Sequence, residues 1–457
     1  MTQNLPGTKT GTEYGAENQS RKWYLVGLIG VMGFNSGLPL ALTASTLVAW
    51  LKLSGLSLPI IGLFSAVGLA YNLKFLWAPL FDNFAPPVPP FLMRNRSRRM
   101  GWMLVIGIAL ALSMVGLGLS APDPDHWRQT FLAASFLAFC SASFDCVIDA
   151  WRVENVPPAQ MGLAAATTQY GYRMGMLLSG AGGLWLSTLV DWPLMFALMA
   201  AILLISLVIV LVSTQFFAPA PPSQPNPTQP PNAKPYKGLV NHILSSIYDP
   251  LKEFAERRGW WIILLMIVLY KVGEAVAAVM SLPFYLELGY DRGQIAAASK
   301  LFGLVASLAG VALGGILVLR WGRFAALLGT GIAQALATLA YLLLLDHPPD
   351  TFLLAITVTA ENLTAGMASS AMVAYLSALC SLRYSATHYA LLSALAGVGR
   401  TLFAASGGVM VTGLGWAGFF IAMTIAAVPG LILVVWLRFG RGLDGRGYDA
   451  AFNEETR

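Results

Sequence analysis

Residues 127–155 read WRQTFLAASFLAFCSASFDCVIDAWRVEN. The first half of this stretch is apolar enough to lie in a bilayer, which about 20 such residues can cross as a helix. The second half carries Asp145 and Asp149, and residues four apart lie on one face of a helix. Ionisable side chains inside a membrane are costly, and they persist where they pair or line water. The stretch therefore predicts a membrane helix with a functional polar face.

The rest of the chain has the same character. Of its 457 residues, 56% are hydrophobic and only 11% are charged, whereas soluble domains carry about 25% charged residues. The sequence predicts an all-α integral membrane protein, because its apolar residues form twelve blocks of spanning length. These blocks are 23–50, 57–80, 100–120, 128–150, 161–190, 193–213, 260–287, 293–319, 324–345, 351–379, 386–413 and 416–437.

The basic residues predict the orientation of these spans. With both termini cytoplasmic, the cytoplasmic segments hold 20 of the 28 Lys and Arg residues, as the positive-inside rule requires. This placement explains the net charge of +6 without a nucleic-acid partner. We predict a multi-pass protein of a bacterial inner membrane, divided into a cytoplasmic tail (1–22), a six-helix bundle (23–213), a cytoplasmic linker (214–259), a second six-helix bundle (260–438) and a cytoplasmic tail (439–457).

The linker between the bundles has two parts. Residues 218–235, APAPPSQPNPTQPPNAKP, contain eight prolines and favour a semi-rigid polyproline segment. Residues 238–259, GLVNHILSSIYDPLKEFAERRG, begin with apolar side chains at helical spacing. This second part fits an amphipathic helix on the membrane surface or a solvated linker.

The two bundles resemble each other. GFNSGLPLAL in the first span and LYKVGEAVAA in the seventh each place a glycine after a short polar run, and YGYRMGMLLSG in the fifth resembles GVGRTLFAASG in the eleventh. The FNSGLP run predicts a helix break at membrane depth, which lines a cavity or is rescued by neighbours. GGILVLRWGR (314–323) is similar to the GxxxDRxGR loop of the major facilitator superfamily, with Leu319 in place of Asp. That superfamily has twelve helices in two pseudo-symmetric six-helix bundles around a central site.

Polar side chains within the spans are the candidate site residues. Carboxylates can carry protons when their surroundings change, and guanidinium groups bind carboxylates. For proton coupling we predict Asp145, Glu274 and Glu361. For substrate binding we predict Asn35, Arg173, Lys271, Arg400, Gln169, Tyr172 and Asn362. For gating or structural salt bridges we predict Lys74, Asp82, Asp149, Arg152, Arg320 and Arg323.

Some of these roles have structural alternatives. Asp145 is interpreted as a proton carrier or as part of a salt bridge that breaks during transport. Asp149 and Arg152 form a gate or an anchoring pair near the membrane boundary. Lys271 and Glu274 are three residues apart and could neutralise each other.

Several motifs together resemble the AmpG-type muropeptide permeases. These are SGLPLALTASTLVAWL, KFLWAPLFD, FCSASFDCVIDAWR, GYRMGMLLSG, LLMIVLYKVGEA, ENLTAGM and HYALLSALAGVGR, and they extend over about 23–437. The resemblance implies proton-driven import of N-acetylglucosaminyl-1,6-anhydro-N-acetylmuramic acid and its peptide derivatives, for peptidoglycan recycling and, indirectly, β-lactamase induction. Two positions depart from the family: Phe144 replaces a common Gln, and Glu274 a common Asp. These changes affect fine specificity more than substrate class.

Other functions remain open at this point. A carrier of the same superfamily could take a sugar, peptide, siderophore or acyl-CoA instead. A membrane enzyme would need a DxD or His–Asp cluster, and His126 beside Asp125 in a short loop is better explained as solvated. The three cysteines show no metal or disulfide spacing. We therefore predict a monomeric transporter rather than an enzyme, in contact with lipid, substrate and protons, without a metal or cofactor.

Overall fold

The computed structural model describes residues 11–89, 97–213, 248–257, 259–346, 349–404 and 407–439. All regular elements within these ranges are helical, so the predicted all-α class is confirmed. The helices of the N-terminal half are α1 (Gly11–Thr43), α2 (Ser45–Leu53), α3 (Leu58–Leu63), α4 (Leu69–Leu73), α5 (Ala78–Asn83), α6 (Arg98–Gly118), α7 (Trp127–Asn155), α8 (Met161–Leu177), α9 (Gly183–Leu186) and α10 (Trp192–Ser213).

The C-terminal half is built from seven further helices. They are α11 (Trp260–Tyr270), α12 (Val272–Glu287), α13 (Arg292–Ala297), α14 (Leu304–Thr338), α15 (Thr351–Leu379), α16 (Ser385–Ala404) and α17 (Gly407–Phe439). Two of these contain a left-handed glycine that joins two helices, Gly322 in α14 and Gly415 in α17. Only glycine adopts this backbone conformation without strain.

Eight helical stretches in the described part of the chain are long and apolar enough to cross a membrane. One of them, Leu304–Leu344, contains two helices because it bends at Gly322. A shorter apolar stretch, Ile60–Leu76, and the more polar helices α8 and α16 cover the remaining predicted spans. Each of the twelve predicted blocks is therefore mostly helical in the part of the chain that the structure describes.

Helix breaks were expected in two pseudo-equivalent spans, the first and the seventh, and only the seventh has one. The seventh span breaks at Lys271, between α11 and α12, as its YKVGE run predicts. In the first span, α1 continues through Asn35 and Pro39 and ends at Thr43. The expected break at FNSGLP is thus absent, and Gly37 serves close packing instead: a Cβ there would overlap the carbonyl oxygen of Tyr172 on α8.

Close contacts of this kind hold each half together. In the C-terminal half, a Cβ on Gly310 of α14 would overlap the carbonyl oxygen of Leu363 on α15. Small residues let membrane helices approach until their backbones touch, which replaces the missing hydrophobic force between helices in lipid. Each half therefore has its own packed interior: one large apolar core lies mainly in the first half, and two lie mainly in the second.

The side of the bundle where α10 ends and α11 begins is called the linker side. Because successive spans alternate in direction, the connections after α5, α7, α14's first helix and α15 also lie there. Residues 248–255, at the end of the linker, are helical, and Phe254 is buried in a core of the C-terminal half. Nε2 of His388 lies 2.9 Å from the Pro250 carbonyl oxygen, and Arg257 donates to the Leu379 carbonyl at 2.6 Å. The amphipathic stretch predicted before residue 248 lies outside the described residues.

Candidate functional site

A polar cavity of about 280 Å³ lies between the two halves. Its N-terminal wall comes from α1, α7, α8 and the turn at Lys74, and its C-terminal wall comes from Lys271, α15 and α16. The lining residues are Ser36, Lys74, Asp145, Asp149, Arg152, Thr168, Gln169, Tyr172, Lys271, Ser369, Met372, Val373, Leu376, Tyr389, Ser393 and Ala396. Seven of the predicted site residues are thereby brought together, although they come from four separate spans.

Asp145 lies on the N-terminal wall, and its closest partner in the described part of the chain is a neutral hydroxyl. Its carboxylate accepts a hydrogen bond from the Ser36 hydroxyl on α1 at 2.5 Å. Among the described residues, no Lys, Arg or His nitrogen lies within the 4.0 Å of an ion pair to Asp145. A neutral donor and access to the cavity leave this carboxylate able to exchange a proton without first breaking a salt bridge.

Asp149, one turn further along α7, is paired with two cations. Its Oδ1 lies 2.9 Å from Arg152 Nη2, and its Oδ2 lies 3.9 Å from Lys74 Nζ. Two carboxylates on one helix face thus have different partners, a hydroxyl for Asp145 and two positive charges for Asp149. The first is suited to titration and the second to holding the cations in place.

Arg152 closes the linker side of the cavity. Its guanidinium is 1% exposed and stacks over the Tyr389 ring of α16, with the carbon 4.9 Å from the ring centre. It also donates to Thr168 at 3.3 Å and to Ser377 at 3.4 Å. Because Ser377 and Tyr389 belong to the C-terminal half, this arginine joins the two halves under the cavity.

Lys271 is the charged group of the C-terminal wall. The break after α11 places its ammonium 2.9 Å from the Ser369 hydroxyl and 3.2 Å from Glu274 Oε2. The predicted pairing of Lys271 with Glu274 therefore occurs. Glu274 stands next to the cavity without lining it.

A second polar cluster seals the linker side, beyond Arg152. Arg99 lies 2.7 Å from Asp82 and 2.5 Å from Glu154, all in the N-terminal half. The start of α16 completes it: Asp82 accepts from the Thr387 amide at 2.8 Å and the Thr387 hydroxyl at 2.6 Å, and Ser385 donates to Glu154 at 2.6 Å. A carboxylate at a helix N-terminus satisfies free amides and meets the positive end of the helix dipole. We call Asp82, Arg99, Glu154, Ser385 and Thr387 the linker-side cluster.

Three predicted site residues lie away from the cavity lining. Asn35 is 1% exposed and accepts a hydrogen bond from Ser206 of α10, inside the N-terminal half. Glu361 accepts from the Tyr341 hydroxyl within the C-terminal half, and Asn362 donates to the Val358 carbonyl of its own helix at 2.9 Å. A polar residue on a spanning helix can face its own bundle as readily as the cavity, which explains these placements.

The other predicted residues have three different settings. Arg173 donates to Ser307 of α14, so it connects the halves at a second place. Arg320 is exposed on the linker side, and Arg323 is half-buried beside it. The side chain of Arg400 lies outside the described residues, although its backbone is part of α16.

The sequence analysis did not assign roles to several residues of these sites. Ser36, Ser369 and Tyr389 line the cavity, and Arg99 and Glu154 form the linker-side cluster. A hydroxyl group in a membrane span gives little indication of a role in a site, because Ser and Thr also form hydrogen bonds to carbonyl groups of their own helix. Glu154 had a usable signal, since it lies two residues after the predicted gating residue Arg152, whereas Arg99 is 17 residues from Asp82 in the sequence.

Comparisons with known proteins agree with this architecture. The family model of the Major Facilitator Superfamily matches residues 24–355. Among solved structures, the proton:xylose symporter XylE superposes with a TM-score of 0.62 at 12% identity, covering 92% of this chain and 96% of that one. At this identity the similarity shows the fold alone, and it confirms the predicted fold class.

Similarity to curated proteins is much higher. The anhydromuropeptide permease of Escherichia coli (strain K12) is 39% identical over 411 residues, which cover 89% of this chain and 78% of the relative. The putative transporter AmpG 4 of Rickettsia conorii is 35% identical over 411 residues, covering 90% of this chain and 95% of the relative. This multi-pass membrane protein therefore belongs to the AmpG permease family of the major facilitator superfamily.

Proposed function

We propose that this protein imports anhydromuropeptides, the disaccharide N-acetylglucosaminyl-1,6-anhydro-N-acetylmuramic acid and its peptide derivatives, for peptidoglycan recycling. The observation that carries the proposal is the 39% identity with a named anhydromuropeptide permease along 89% of the chain. As a member of a permease family, the protein moves its substrate without converting it. No metal or other cofactor enters the proposal.

The chemistry of the cavity supports this choice of substrate. Muropeptides are polar and carry carboxylates, and the cavity offers three cations, two tyrosines and several hydroxyl groups. Charged and bidentate hydrogen bonds select such groups, and aromatic rings are common contacts for sugars. A cavity of about 280 Å³ is at the lower limit of drug-sized sites. The halves would therefore move apart to admit a disaccharide, as alternating access requires.

The linker-side cluster supports a direction for this movement. In the conformation described, Asp82 and Glu154 hold the start of α16, and Arg152 lies on Tyr389 beneath the cavity. Opening toward the linker side means breaking these contacts. The basic residues favour a cytoplasmic linker side with both termini inside, so that opening there would release the substrate into the cell.

We propose that the inward proton gradient drives this import and that Asp145 carries the proton. It is the cavity carboxylate without a cation among the described residues, and its Ser36 partner can donate to the carboxylate or accept from the acid. Lys271 and Glu274 form a local pair that is less suited to the task. The working unit would be a monomer in the bilayer, because each chain contains both halves of the cavity.

Uptake into proteoliposomes tests the proposal. Purified protein would be reconstituted and supplied with the labelled disaccharide, with and without an inward gradient of one pH unit. One proton per substrate would limit accumulation to about 10-fold. We expect accumulation that a protonophore abolishes and that unlabelled muropeptide, but not xylose, competes with.

Two results would contradict it. Binding and uptake of a different polar solute, with no uptake of the disaccharide by folded protein, would favour another cargo of the same superfamily. Uptake of the disaccharide that ignores the proton gradient would keep the substrate and remove the coupling.

A further inference from the structure

The ammonium group of Lys74 lines the cavity without a hydrogen-bond acceptor. Its side chain is 9% exposed, and its nearest carboxylate oxygen, Asp149 Oδ2, is 3.9 Å away, beyond hydrogen-bond distance. No acceptor for its protons occurs among the described residues. An ammonium has three N–H donors, and leaving buried donors unsatisfied is costly. A hydrogen-bond acceptor that enters the cavity would therefore gain the most binding free energy at Lys74.

The surrounding acids do not fill this role, because each is already engaged. Asp149 makes its short contact with Arg152, at 2.9 Å. Asp145 accepts from Ser36 at 2.5 Å. Both carboxylates balance the charge of Lys74 through space and leave its N–H groups facing the cavity.

Lys271, on the opposite wall, differs from Lys74 because its ammonium already has partners. Its ammonium donates to Ser369 at 2.9 Å and lies 3.2 Å from Glu274 Oε2, although its side chain is more exposed, at 25%. A substrate carboxylate approaching Lys271 would have to compete with partners that are already in place. The two lysines lining one cavity thus differ in what they can still bind.

We propose that Lys74 is the specificity-determining residue that binds a carboxylate of the substrate, on the N-terminal wall of the cavity. This inference rests on the proposed function. In the unsubstituted disaccharide the carboxylate would be that of the lactyl ether of muramic acid, and in the peptide forms a peptide carboxylate. The carboxylate would accept hydrogen bonds from the Lys74 ammonium, whose N–H donors are beyond hydrogen-bond distance of Asp149.

The alternative is that Lys74 serves only as a counter-charge for Asp145 and Asp149. These two roles differ in their dependence on the substrate. A counter-charge affects every substrate equally, whereas a carboxylate-binding group distinguishes an acid from its uncharged amide.

The experiment compares the labelled disaccharide acid with its primary amide, in which the lactyl carboxylate is replaced by a carboxamide. Competition binding to purified protein and exchange in proteoliposomes would be measured for the wild type, Lys74→Gln, Lys74→Arg and Lys271→Gln. For the wild type we expect a preference of about 10-fold to 100-fold for the acid, the range of a hydrogen bond to a charged group. Lys74→Gln should reduce this preference to about 2-fold or less, and Lys74→Arg should keep most of it.

Lys271→Gln is the matched control, because it removes a lysine of the same cavity that already has partners. We expect it to weaken acid and amide alike and to keep the acid preference. The ratio of acid to amide is measured within one variant, so a partial loss of folded protein does not affect it. If Lys74→Gln does not fold, a retained preference in Lys74→Arg together with its loss in Lys74→Met decides the same question.

The failures of the two proposals are distinguishable. If the wild type binds neither compound, the proposed substrate is wrong. If the wild type binds both and Lys74→Gln keeps the full acid preference, or loses acid and amide in equal proportion, Lys74 does not bind the carboxylate. A preference that disappears in Lys271→Gln instead would assign the carboxylate to the opposite wall.

Discussion

The two halves of the protein contribute different chemistry to the interface between them. The N-terminal half supplies four of the five ionisable Lys, Arg and Asp side chains that line the cavity, and the C-terminal half supplies Lys271. In the linker-side cluster, the N-terminal half provides all three charges, Asp82, Arg99 and Glu154. The C-terminal half donates hydrogen bonds to the two carboxylates from the hydroxyl groups of Ser385 and Thr387 and from backbone amides of α16.

This division has an energetic consequence. In the described part of the chain, every ion pair of the two bundles lies within one half, as in Asp149 with Arg152 or Lys271 with Glu274. Polar contacts between the halves join a charge to a neutral group, such as Arg152 to Ser377 or Arg173 to Ser307. Stripping a buried charge of its counter-ion costs about 3–5 kcal/mol, whereas a hydrogen bond between a charged and a neutral group contributes about 1.5–3 kcal/mol.

The two halves can therefore separate without losing any of these ion pairs. When the linker side opens, Asp82, Arg99 and Glu154 keep one another and lose only hydroxyl and amide partners. Water can replace those partners. A charge distribution of this kind allows one half to rock against the other while each remains intact.

The largest effect on stability is expected when an ion pair within one half is broken. Arg99→Met would leave Asp82 and Glu154 without their shared cation in a buried cluster, since Arg99 is 2% exposed. We expect a loss of about 3–5 kcal/mol of stability, visible as a much lower melting temperature in detergent and as lost uptake. Arg98→Met, an exposed neighbour, should change stability by less than about 0.5 kcal/mol. Equal melting temperatures for the two variants would show that the cluster does not stabilise the N-terminal half.

The next effect tests whether the N-terminal half is a packed unit. Gly37→Ala would place a Cβ against the Tyr172 carbonyl, while a Cβ at Gly27 of the same helix meets open space. We expect Gly37→Ala to cost about 1–3 kcal/mol, the range for an overpacked core, and Gly27→Ala to be tolerated. Both can be measured by thermal unfolding. Similar stability of the two variants would mean that α1 and α8 do not need their close contact.

A third test compares carboxylates of the two halves. Asp145→Asn keeps the size of the side chain but cannot release a proton, and we expect gradient-driven accumulation to fall about 10-fold while exchange without a gradient persists. Glu361→Gln, whose carboxylate is bonded to Tyr341 away from the cavity lining, should retain accumulation. Loss of coupling in Glu361→Gln but not in Asp145→Asn would move the proton site to the C-terminal half.

A smaller effect is expected from contacts between the halves. Thr387→Val removes the hydroxyl that donates to Asp82 at 2.6 Å and leaves the backbone amide bond of 2.8 Å. We expect a shift of about 1.5 kcal/mol toward the open linker side, at the lower end for a hydrogen bond to a charged group because the amide bond remains, with roughly 10-fold faster hydrogen exchange at the start of α16. Thr412→Val, an exposed hydroxyl bonded to its own helix, is the control. Unchanged exchange in Thr387→Val would show that this contact does not hold the halves together.

The smallest effect concerns a loop of the N-terminal half away from the interface. Hydrogen bonds from the His126 backbone amide and ring lower the pKa of Asp123. Because the pKa in the folded protein is below the unfolded value of about 3.9, this contribution to stability exists above that pH and disappears as pH falls through the folded pKa. Asp123→Asn should therefore lower the melting temperature slightly at neutral pH, less so in acid, with normal uptake. A large loss of uptake would contradict the assignment of transport to the interface.

Much of the fold followed from the sequence, because bilayer thickness and helix rise together fix the length of a span. The blocks of apolar residues predicted the helices, and the left-handed Gly322 and Gly415 fall in two of the short gaps between predicted blocks, at 320–323 and 414–415. The position of one break was not predictable. A proline in α1 can be accommodated when neighbouring helices cover it, and the sequence of α1 does not contain that information.

For the site, the sequence identified which residues are unusual but not which of them meet. Asp145, Asp149 and Arg152 share a face because they are four and three residues apart on one helix. The sequence assigned Lys271 and Asn35 to substrate binding and Lys74 to a salt bridge, and it grouped Glu361 with Asp145 for proton coupling. The orientation of each helix about its axis distinguished them, turning Asn35 toward Ser206 and Glu361 toward Tyr341.

The amino-acid sequence was sufficient to identify a multi-pass helical protein of a permease family, with ionisable residues in its spans. These properties depend on composition, length and local spacing. Three properties of the described residues came from the three-dimensional arrangement. Ion pairs lie within halves, neutral groups of one half contact charges of the other, and Lys74 lacks the hydrogen-bond acceptor that Lys271 has. Such properties depend on distances between side chains up to about 300 residues apart in the chain, as between Asp82 and Thr387, and no local periodicity encodes them.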